Sequence, residues 1–154
     1  MEESIIRHIE HKDIRELILI SKEMHKEGGY SWLPYSSEKM NQLFRKCLKF
    51  DMVTCIVAEK DNKVIGYMIV VIQDYFFNYK KMCSDLGLYI LKEYRKNIRT
   101  PIKMVKLAEE WATERDVQEL FFGNTMNVKN DKIKKFYEFQ GFTTIGHVFK
   151  KKVN

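Results

Sequence analysis

The 154-residue chain contains little glycine and very little proline, with 7 and 2 residues respectively. Linkers and low-complexity segments are usually rich in these residues, so nothing in the composition divides the chain. No apolar run is long enough to cross a membrane, and the charged residues 1–13 do not resemble a secretory signal. We therefore expect a single domain over residues 1–154, without a membrane segment, in the cytoplasm.

Cysteine is also scarce, and Cys47, Cys55 and Cys83 are far apart in the sequence. There is no Cys-X-X-Cys pair and no His/Cys cluster with metal-ligand spacing, so we expect core thiols and no metal site. The net charge of +6 suits an anionic ligand. The basic residues are dispersed rather than gathered, however, and a nucleic-acid partner is not favoured.

Apolar spacing and turn residues predict the order strand, two helices, three strands, helix, strand, helix and strand. Two β-branched runs that meet at Asp61-Asn62 are typical of a hairpin. The last strand, or pair of short strands, would lie within residues 142–153. This order predicts an α/β (α+β) fold with one mixed, mostly antiparallel sheet of six to seven strands and helices on both faces.

A basic loop leads from a predicted strand into a helix in the segment YRKNIRTPIKMVKLAEEW, residues 94–111. Thr100 suits the N-cap, and Pro101 suits the first helical position, where a missing N–H costs nothing. The free N–H groups of such a turn suit a phosphate group. Three basic residues lie in the same turn: Arg95, Lys96 and Arg99. A capped helix with solvated basic side chains explains the segment equally well.

The second half of the chain adds Asn130, then Tyr137 seven residues later, and Gly141-Phe142 four residues beyond. Together with LGLYILKEYRKNIRT, residues 86–100, this spacing resembles the GNAT superfamily of acyl-CoA-dependent N-acetyltransferases. The resemblance implies a GNAT-like sheet whose fourth and fifth strands splay apart around acetyl-CoA. Ile98 and Thr100 stand where the family has turn glycines. The turn therefore either follows an ordinary right-handed path or is distorted.

The resemblance also implies, by position, which residues bind acetyl-CoA. The backbone of the fourth strand would pair with the pantetheine arm, and the N–H of its last residue would face the thioester carbonyl. The basic turn would bind the pyrophosphate. An asparagine would bind the pantetheine or hold the junction between the fifth strand and the last helix. These residues are Leu88, Tyr89 and Ile90 on the strand, Arg95, Lys96, Asn97, Ile98, Arg99 and Thr100 in the turn, and Asn130.

Two protons must move in such a reaction, one from the amine and one to the leaving thiolate. Tyr137 occupies the family's general-acid position, and a tyrosine pKa of about 10 suits that task. The position of Tyr137 is equally consistent with a structural role, as a core-facing residue of an amphipathic helix. For the base, Thr125 stands where some members have a glutamate. Asp85 is the best remaining carboxylate, ahead of Glu27 and Asp74, and a water chain is an alternative.

Two loops, residues 27–39 and 75–81, are rich in aromatic residues and are expected to face the acceptor. Cation–π contacts could box an amine there. The aromatic residues concerned are Tyr30, Trp32, Tyr35, Tyr75 and Phe77. A packed lid or a homodimer surface would use them equally well. The resemblance predicts an N-acetyltransferase that moves an acetyl group from acetyl-CoA to a primary amine of a small molecule or protein. The alternative is an inactive GNAT-fold module that binds CoA or a partner protein.

Overall fold

The computed structural model describes residues 3–123 and 130–154, apart from the side chain of Asn130. The chain forms two compact units, Met1–Phe122 and Gly123–Asn154, which are described separately. The first unit contains five strands and three α-helices, and the described part of the second contains one α-helix. The elements are β1 (Ile5–His8), α1 (Ile14–Glu27), α2 (Ser37–Lys49), β2 (Val53–Lys60), β3 (Lys63–Asp74), β4 (Lys81–Ile90), α3 (Arg99–Thr113), β5 (Val117–Phe121) and α4 (Asn130–Phe139). None of the described helices is long and apolar enough to span a bilayer.

The five strands form one mixed sheet in the order β1-β2-β3-β4-β5. Neighbouring strands are antiparallel except for β4 and β5, which are parallel. The predicted hairpin at Asp61-Asn62 is confirmed. Both residues have positive φ, 51° and 59°, which suits a two-residue turn between twisted strands.

Helices cover both faces of the sheet in the first unit, as predicted. Leu17 of α1 and Phe44 of α2 pack with Val57 and Tyr67 on one face. Alternate strand residues such as Met68 are buried on the other face, where α3 contacts the sheet. Each large apolar side chain buried in this way contributes about 1.5–3 kcal/mol. The three cysteines are buried and free, which confirms the prediction of core thiols.

The prediction of six to seven strands is wrong for the residues that the structure describes, where the sheet has five strands. Residues 142–154 contain no strand, and Ile145, Val148 and Phe149 are 78%, 82% and 89% exposed. The β-branched and aromatic residues of this segment are compatible with a strand. A strand also needs a neighbour that pairs with its backbone groups, and composition alone does not supply one.

Gly141 lies just after the end of α4, in the position that glycine commonly takes there. Its φ of +89° is a left-handed conformation that glycine adopts without strain. The Phe142 N–H donates to the Tyr137 carbonyl oxygen at 3.1 Å, and the Gly141 N–H donates to that of Glu138 at 3.0 Å. This pair of bonds is a Schellman motif, which satisfies carbonyl groups that a helix end leaves free.

Candidate active site

Strand β4 extends well beyond its pairing with β5. The last pair is Ser84 with Phe121, whereas β4 continues along β3 to Ile90. β5 itself ends at Phe121, so within the first unit no strand pairs with this side of β4 beyond Ser84. Residues 85–90 are called the open edge below, because within the first unit they pair on one side only.

A β-bulge bends β4 at the start of the open edge. Ile69 pairs with Gly87 and Val70 with Asp85, so Leu86 is the extra residue. The Met24 side chain of α1 reaches this point, because a Cβ at Gly87 would lie 2.9 Å from its terminal methyl group. The end of this flexible side chain can shift, so the contact does not by itself require glycine.

Backbone groups at the end of β4 alternate between β3 and the open edge. The Leu91 N–H donates to the Ile65 carbonyl oxygen on β3 at 2.9 Å. By the two-residue period of a strand, Tyr89 also faces β3, while Leu88 and Ile90 direct their N–H and C=O groups to the open edge. Two of the three predicted strand residues thus present backbone groups there, and Tyr89 does not.

The basic turn, residues 95–98, follows an ordinary right-handed path at Ile98. Its φ is −64°, and none of the described non-glycine residues with positive φ lies in the turn. The first of the two paths considered for a glycine-free turn is therefore the one adopted. The N–H groups of Lys96, Asn97 and Ile98 donate to no acceptor on a described residue. They are available to an anion.

The prediction that Thr100 caps α3 is wrong. The helix begins at Arg99, with Ile98 at the N-cap and Pro101 in the first turn, where its missing N–H still needs no partner. Thr100 is 2% exposed; its hydroxyl lies 3.2 Å from that of Ser4, and its N–H donates to the Asn97 carbonyl oxygen at 3.3 Å. Both donors of Thr100 are thus engaged within the protein.

Asn97 supplies the local cap that Thr100 does not. Its side-chain oxygen accepts from the Arg99 N–H at 3.1 Å, an arrangement that stabilises a turn through its own asparagine. The sequence contained this signal, since asparagine two residues before a helix start is typical of such turns. The Asn97 side chain therefore shapes the turn.

The basic side chains around the turn differ in their partners. Arg99 and Lys103 share Glu3, with N–O distances of 3.4 Å and 2.6 Å. Lys96 is exposed and forms no ion pair with a described residue. Lys96 and Arg99 therefore present positive charge to solvent beside the free N–H groups.

Arg95 is bound within the protein. Its Nη1 and Nη2 donate to the two carboxylate oxygens of Glu27 at 2.5 Å and 2.8 Å, and its Nε donates to the Ile90 carbonyl oxygen at 2.7 Å. The Tyr89 hydroxyl donates to Glu27 Oε2 at 2.7 Å, and the guanidinium lies 5.1 Å from the Tyr89 ring centroid. Glu27, Tyr89 and Arg95 are called the Glu27 cluster below.

The Glu27 cluster determines the protonation of its members. The hydrogen bond from Arg95 lowers the pKa of Glu27 to about 2. Burial, together with the bond to Glu27, raises the pKa of Tyr89 to about 12. A carboxylate with so low a pKa is a weak base near neutral pH, which disfavours Glu27 as the general base. A cleft of about 240 Å³ lies beside the cluster, lined also by Glu23 and Lys92.

The sequence did not indicate the Glu27 cluster. Glu27 and Arg95 are 68 residues apart, and each resembles an ordinary surface charge in its own segment. Only the packing of α1 against β4 brings them together.

Asp85, the preferred carboxylate, is half-buried at the first position of the open edge, directly after the last pair between β4 and β5. Asp74 is the last residue of β3, where it forms an ion pair with Lys81 at 3.0 Å. Asp85 thus lies just past the last pair between β4 and β5, and Asp74 lies beside the first pair.

The two aromatic loops make different contacts. The Tyr35 hydroxyl lies 2.6 Å from the Ser21 hydroxyl and donates to the Ile18 carbonyl oxygen, so Tyr35 is bound to α1. Tyr75 donates to Glu119 of β5 at 2.6 Å, and its ring packs against Phe77. Tyr30 and Trp32 belong to the loop between α1 and α2, with Trp32 56% exposed.

The remaining predicted residues belong to the second unit. Tyr137 lies on α4, with its ring 5.0 Å from that of Phe136 and 5.2 Å from that of Phe142. Asn130 is the first residue of α4, and its side chain lies outside the described part of the structure. Thr125 and the end of the predicted strand 117–125 also lie outside it; β5 ends at Phe121.

The chain thus combines a mixed five-stranded sheet with a basic turn and a helix that connect its fourth and fifth strands. The model of the acetyltransferase (GNAT) family matches residues 14–142, and the chain belongs to this family. The resemblance seen in the sequence is thereby confirmed.

Solved structures show the same fold at low sequence identity. AAC(6')-Iy in complex with the bisubstrate analogue CoA-S-monomethyl-acetylneamine aligns with a TM-score of 0.80 and 15% identity, covering 99% of each chain. Glucosamine-6-phosphate N-acetyltransferase from Arabidopsis thaliana aligns with a TM-score of 0.77 and 18% identity, covering 99% of this chain and 100% of that one. Ribosomal-protein-alanine N-acetyltransferase from Brucella melitensis biovar Abortus 2308 gives 0.76 and 13%, with the same coverage. Comparison with curated protein sequences gives no significant match.

Proposed function

We propose that the chain is an N-acetyltransferase that transfers an acetyl group from acetyl-CoA to a primary amine by direct attack. The observation that carries this proposal is the open edge of β4, which leads directly into a turn with free N–H groups. Membership of the family supports it, as do the structures of similar fold, which are named for the acetylation of an aminoglycoside, a sugar phosphate and a protein alanine.

The residues present fit acetyl-CoA. The backbone groups of Leu88 suit the amides of an extended pantetheine arm, as a strand edge suits an added strand. The Ile90 carbonyl oxygen accepts from Arg95, which leaves its N–H for the thioester. The N–H groups of residues 96–98 suit a pyrophosphate, and Lys96 and Arg99 add positive charge. Acetyl-CoA supplies the activated acetyl thioester. In this proposal Asn130 binds the pantetheine or holds the junction before α4.

Three groups of the chain are assigned chemical roles. The Ile90 N–H at the open edge donates to the carbonyl that gains negative charge, a contact worth about 3 kcal/mol in other acyl-transfer enzymes. Tyr137 carries the proton that the departing thiolate needs. Asp85, just past the last pair between β4 and β5, accepts the proton that the amine must lose.

The acceptor is assigned to the side of the site formed by the aromatic loops. Tyr30 and Trp32 follow the end of α1, whose last residue, Glu27, belongs to the cluster at the end of β4. Aromatic faces attract an ammonium group, which suits a primary amine before it loses its proton. The other aromatic residues proposed for this role are Tyr35, Tyr75 and Phe77.

A thiol-release assay with a panel of amines tests the proposal. The panel comprises an aminoglycoside, glucosamine 6-phosphate and a peptide with an N-terminal alanine, each incubated with acetyl-CoA. We expect free thiol in step with a product that carries one added acetyl group by mass spectrometry. Binding of CoA without transfer to any amine would favour the inactive module. Absence of CoA binding would reject the enzyme and leave a module that binds a partner protein.

A further inference from the structure

Glu27 joins two parts of the molecule that the proposed function uses separately. It is the last residue of α1, immediately before the loop assigned to the acceptor. Its carboxylate accepts from Tyr89 near the end of β4 and from Arg95 at the start of the basic turn. A single side chain therefore links the acceptor loop, the open edge and the turn.

Arg95 is held in one orientation by these contacts. A guanidinium has five N–H donors in a rigid plane. Three are used here, one on the Ile90 carbonyl and two on Glu27, while the Tyr89 ring lies beside the plane. The Arg95 side chain is only 33% exposed and the Glu27 side chain 28%. Such a bidentate, partly buried pair fixes geometry more firmly than a solvated surface pair does.

The turn that follows Arg95 has no glycine and depends on side chains for its shape. Asn97 binds the Arg99 N–H, and Thr100 contacts Ser4. Arg95 fixes the other end of the turn against the Ile90 carbonyl oxygen. The free N–H groups of residues 96–98 therefore lie in a segment that is held at one end by Arg95 and at the other by Thr100.

We propose that Glu27 is a positioning residue for the pyrophosphate site. Acting through Arg95, it fixes the end of the open edge and the basic turn, so that backbone N–H groups and Lys96 bind the pyrophosphate while Arg95 remains on Glu27. This inference rests on the proposed function, because it assumes that the turn binds CoA.

The opposite role makes an opposite prediction. If Glu27 instead withheld Arg95 from the pyrophosphate, removal of its charge would free a cation and tighten CoA binding. If Glu27 positions the turn, its removal weakens binding even though the site becomes more positive. The sign of the effect therefore distinguishes the two roles.

Isothermal titration of the full chain with CoA measures this sign. We expect Glu27→Gln to weaken CoA binding about tenfold, the fold-change that corresponds to one charged hydrogen bond. Glu23→Gln is the matched control, since Glu23 lines the same cleft on the same helix and pairs only with Lys26 among the described residues. Unchanged or tighter binding by Glu27→Gln would overturn the inference.

Salt dependence distinguishes positioning by the Glu27–Arg95 pair from direct binding of phosphate by Arg95. The double variant Glu27→Gln/Arg95→Gln removes the pair without changing net charge, so its affinity loss should be the same factor at low and moderate salt. Lys96→Gln should lose more affinity at low salt, because that charge acts directly on the phosphates. A loss in the double variant that is confined to low salt would show that Arg95 binds phosphate itself and would overturn the inference.

A milder variant covers the case in which Glu27→Gln fails to fold. Tyr89→Phe keeps the ring beside Arg95 and removes only its hydrogen bond to Glu27, so we expect a smaller loss of CoA affinity. Arg95→Lys keeps the charge but cannot form the bidentate pair with Glu27. An unchanged CoA affinity in both folded variants would overturn the inference. Failure of this inference and failure of the proposed function give different results. Wild-type protein that binds no CoA rejects the proposed function together with the inference, whereas wild-type binding with unaffected variants rejects the inference alone.

Discussion

Gly66 on β3 lies opposite Ile90 on β4, and there is no room for a side chain at Gly66. A Cβ there would lie 2.7 Å from the Tyr89 carbonyl oxygen and 2.9 Å from the Ile90 side chain. The end of the open edge is thus set by a close approach of two strands that only glycine permits.

Gly66→Ala should therefore destabilise the protein and disturb the open edge. Forcing atoms into a packed position costs about 1–3 kcal/mol, and the shift of β4 should also lower CoA affinity. Urea unfolding and calorimetric titration measure the two effects. Gly146→Ala is the control, since a Cβ at Gly146 meets no atom within 4 Å. Equal stability of the two variants would contradict the tight approach at Ile90.

Ile98→Gly should not improve CoA binding. Ile98 already has an ordinary right-handed φ of −64°, so the turn gains nothing from the freedom of glycine. The added freedom of the unfolded chain should instead lower stability by about 0.4–1 kcal/mol. Titration with CoA and thermal unfolding test both points. A clear gain in affinity would mean that the missing glycine does impair the site.

Tyr137→Phe tests the proposed general acid. Loss of a positioned proton donor should lower kcat by about 10²-fold or more, with little change in the CoA dissociation constant. Full turnover by Tyr137→Phe would remove this residue from the mechanism.

Asp85→Asn tests the proposed base. We expect kcat/KM to fall by about 10²-fold near neutral pH. The deficit should shrink above about pH 9, because an amine with a pKa near 10.4 then increasingly loses its proton to solvent. Asp74→Asn, at the last residue of β3, should retain activity. A deficit that stays constant with pH would argue against proton removal by Asp85.

Glu27 should contribute a pH-dependent part of the stability. Its folded pKa of about 2 lies below the ordinary value of 4.5, so its contribution is present above pH 4.5 and is lost as the pH falls through about 2. The stability difference between wild type and Glu27→Gln should accordingly be constant above that window and shrink within it. Urea unfolding at stepped pH measures this difference. A difference that does not vary with pH would mean that the carboxylate has no special partner.

Local chemistry made much of the fold predictable from the sequence. The hairpin at Asp61-Asn62 and the helix end at Gly141 follow from backbone conformations that these residues favour. The outcome for the C-terminal segment was not predictable, because the β-branched and aromatic residues of 142–153 suit a strand but do not provide its neighbour. The start of α3 was misplaced by two residues, since Thr100 and Asn97 are both good turn formers, and Asn97 binds the Arg99 N–H while Thr100 contacts Ser4.

The sequence predicted only those parts of the site that lie within the family motif. Most of the open edge and the turn lie within a contiguous motif, residues 86–100, in which Leu88 and Ile90 direct backbone groups to the open edge and Lys96 is exposed. The Glu27–Arg95 pair forms only because α1 packs near the end of β4, and no pattern in either local segment of the sequence indicates it. Arg95 illustrates the limit, because its charge suggested a phosphate ligand while its contacts tie it to Glu27.

The most direct test of the account is a calorimetric titration of the purified chain with acetyl-CoA at low and moderate salt. The account predicts saturable binding in the micromolar range, weaker at the higher salt because charges around the turn contribute. Such a result would establish that a glycine-free turn beside an open strand edge binds the pyrophosphate. The absence of detectable binding at either salt would contradict the account, and the fold would then serve some other ligand.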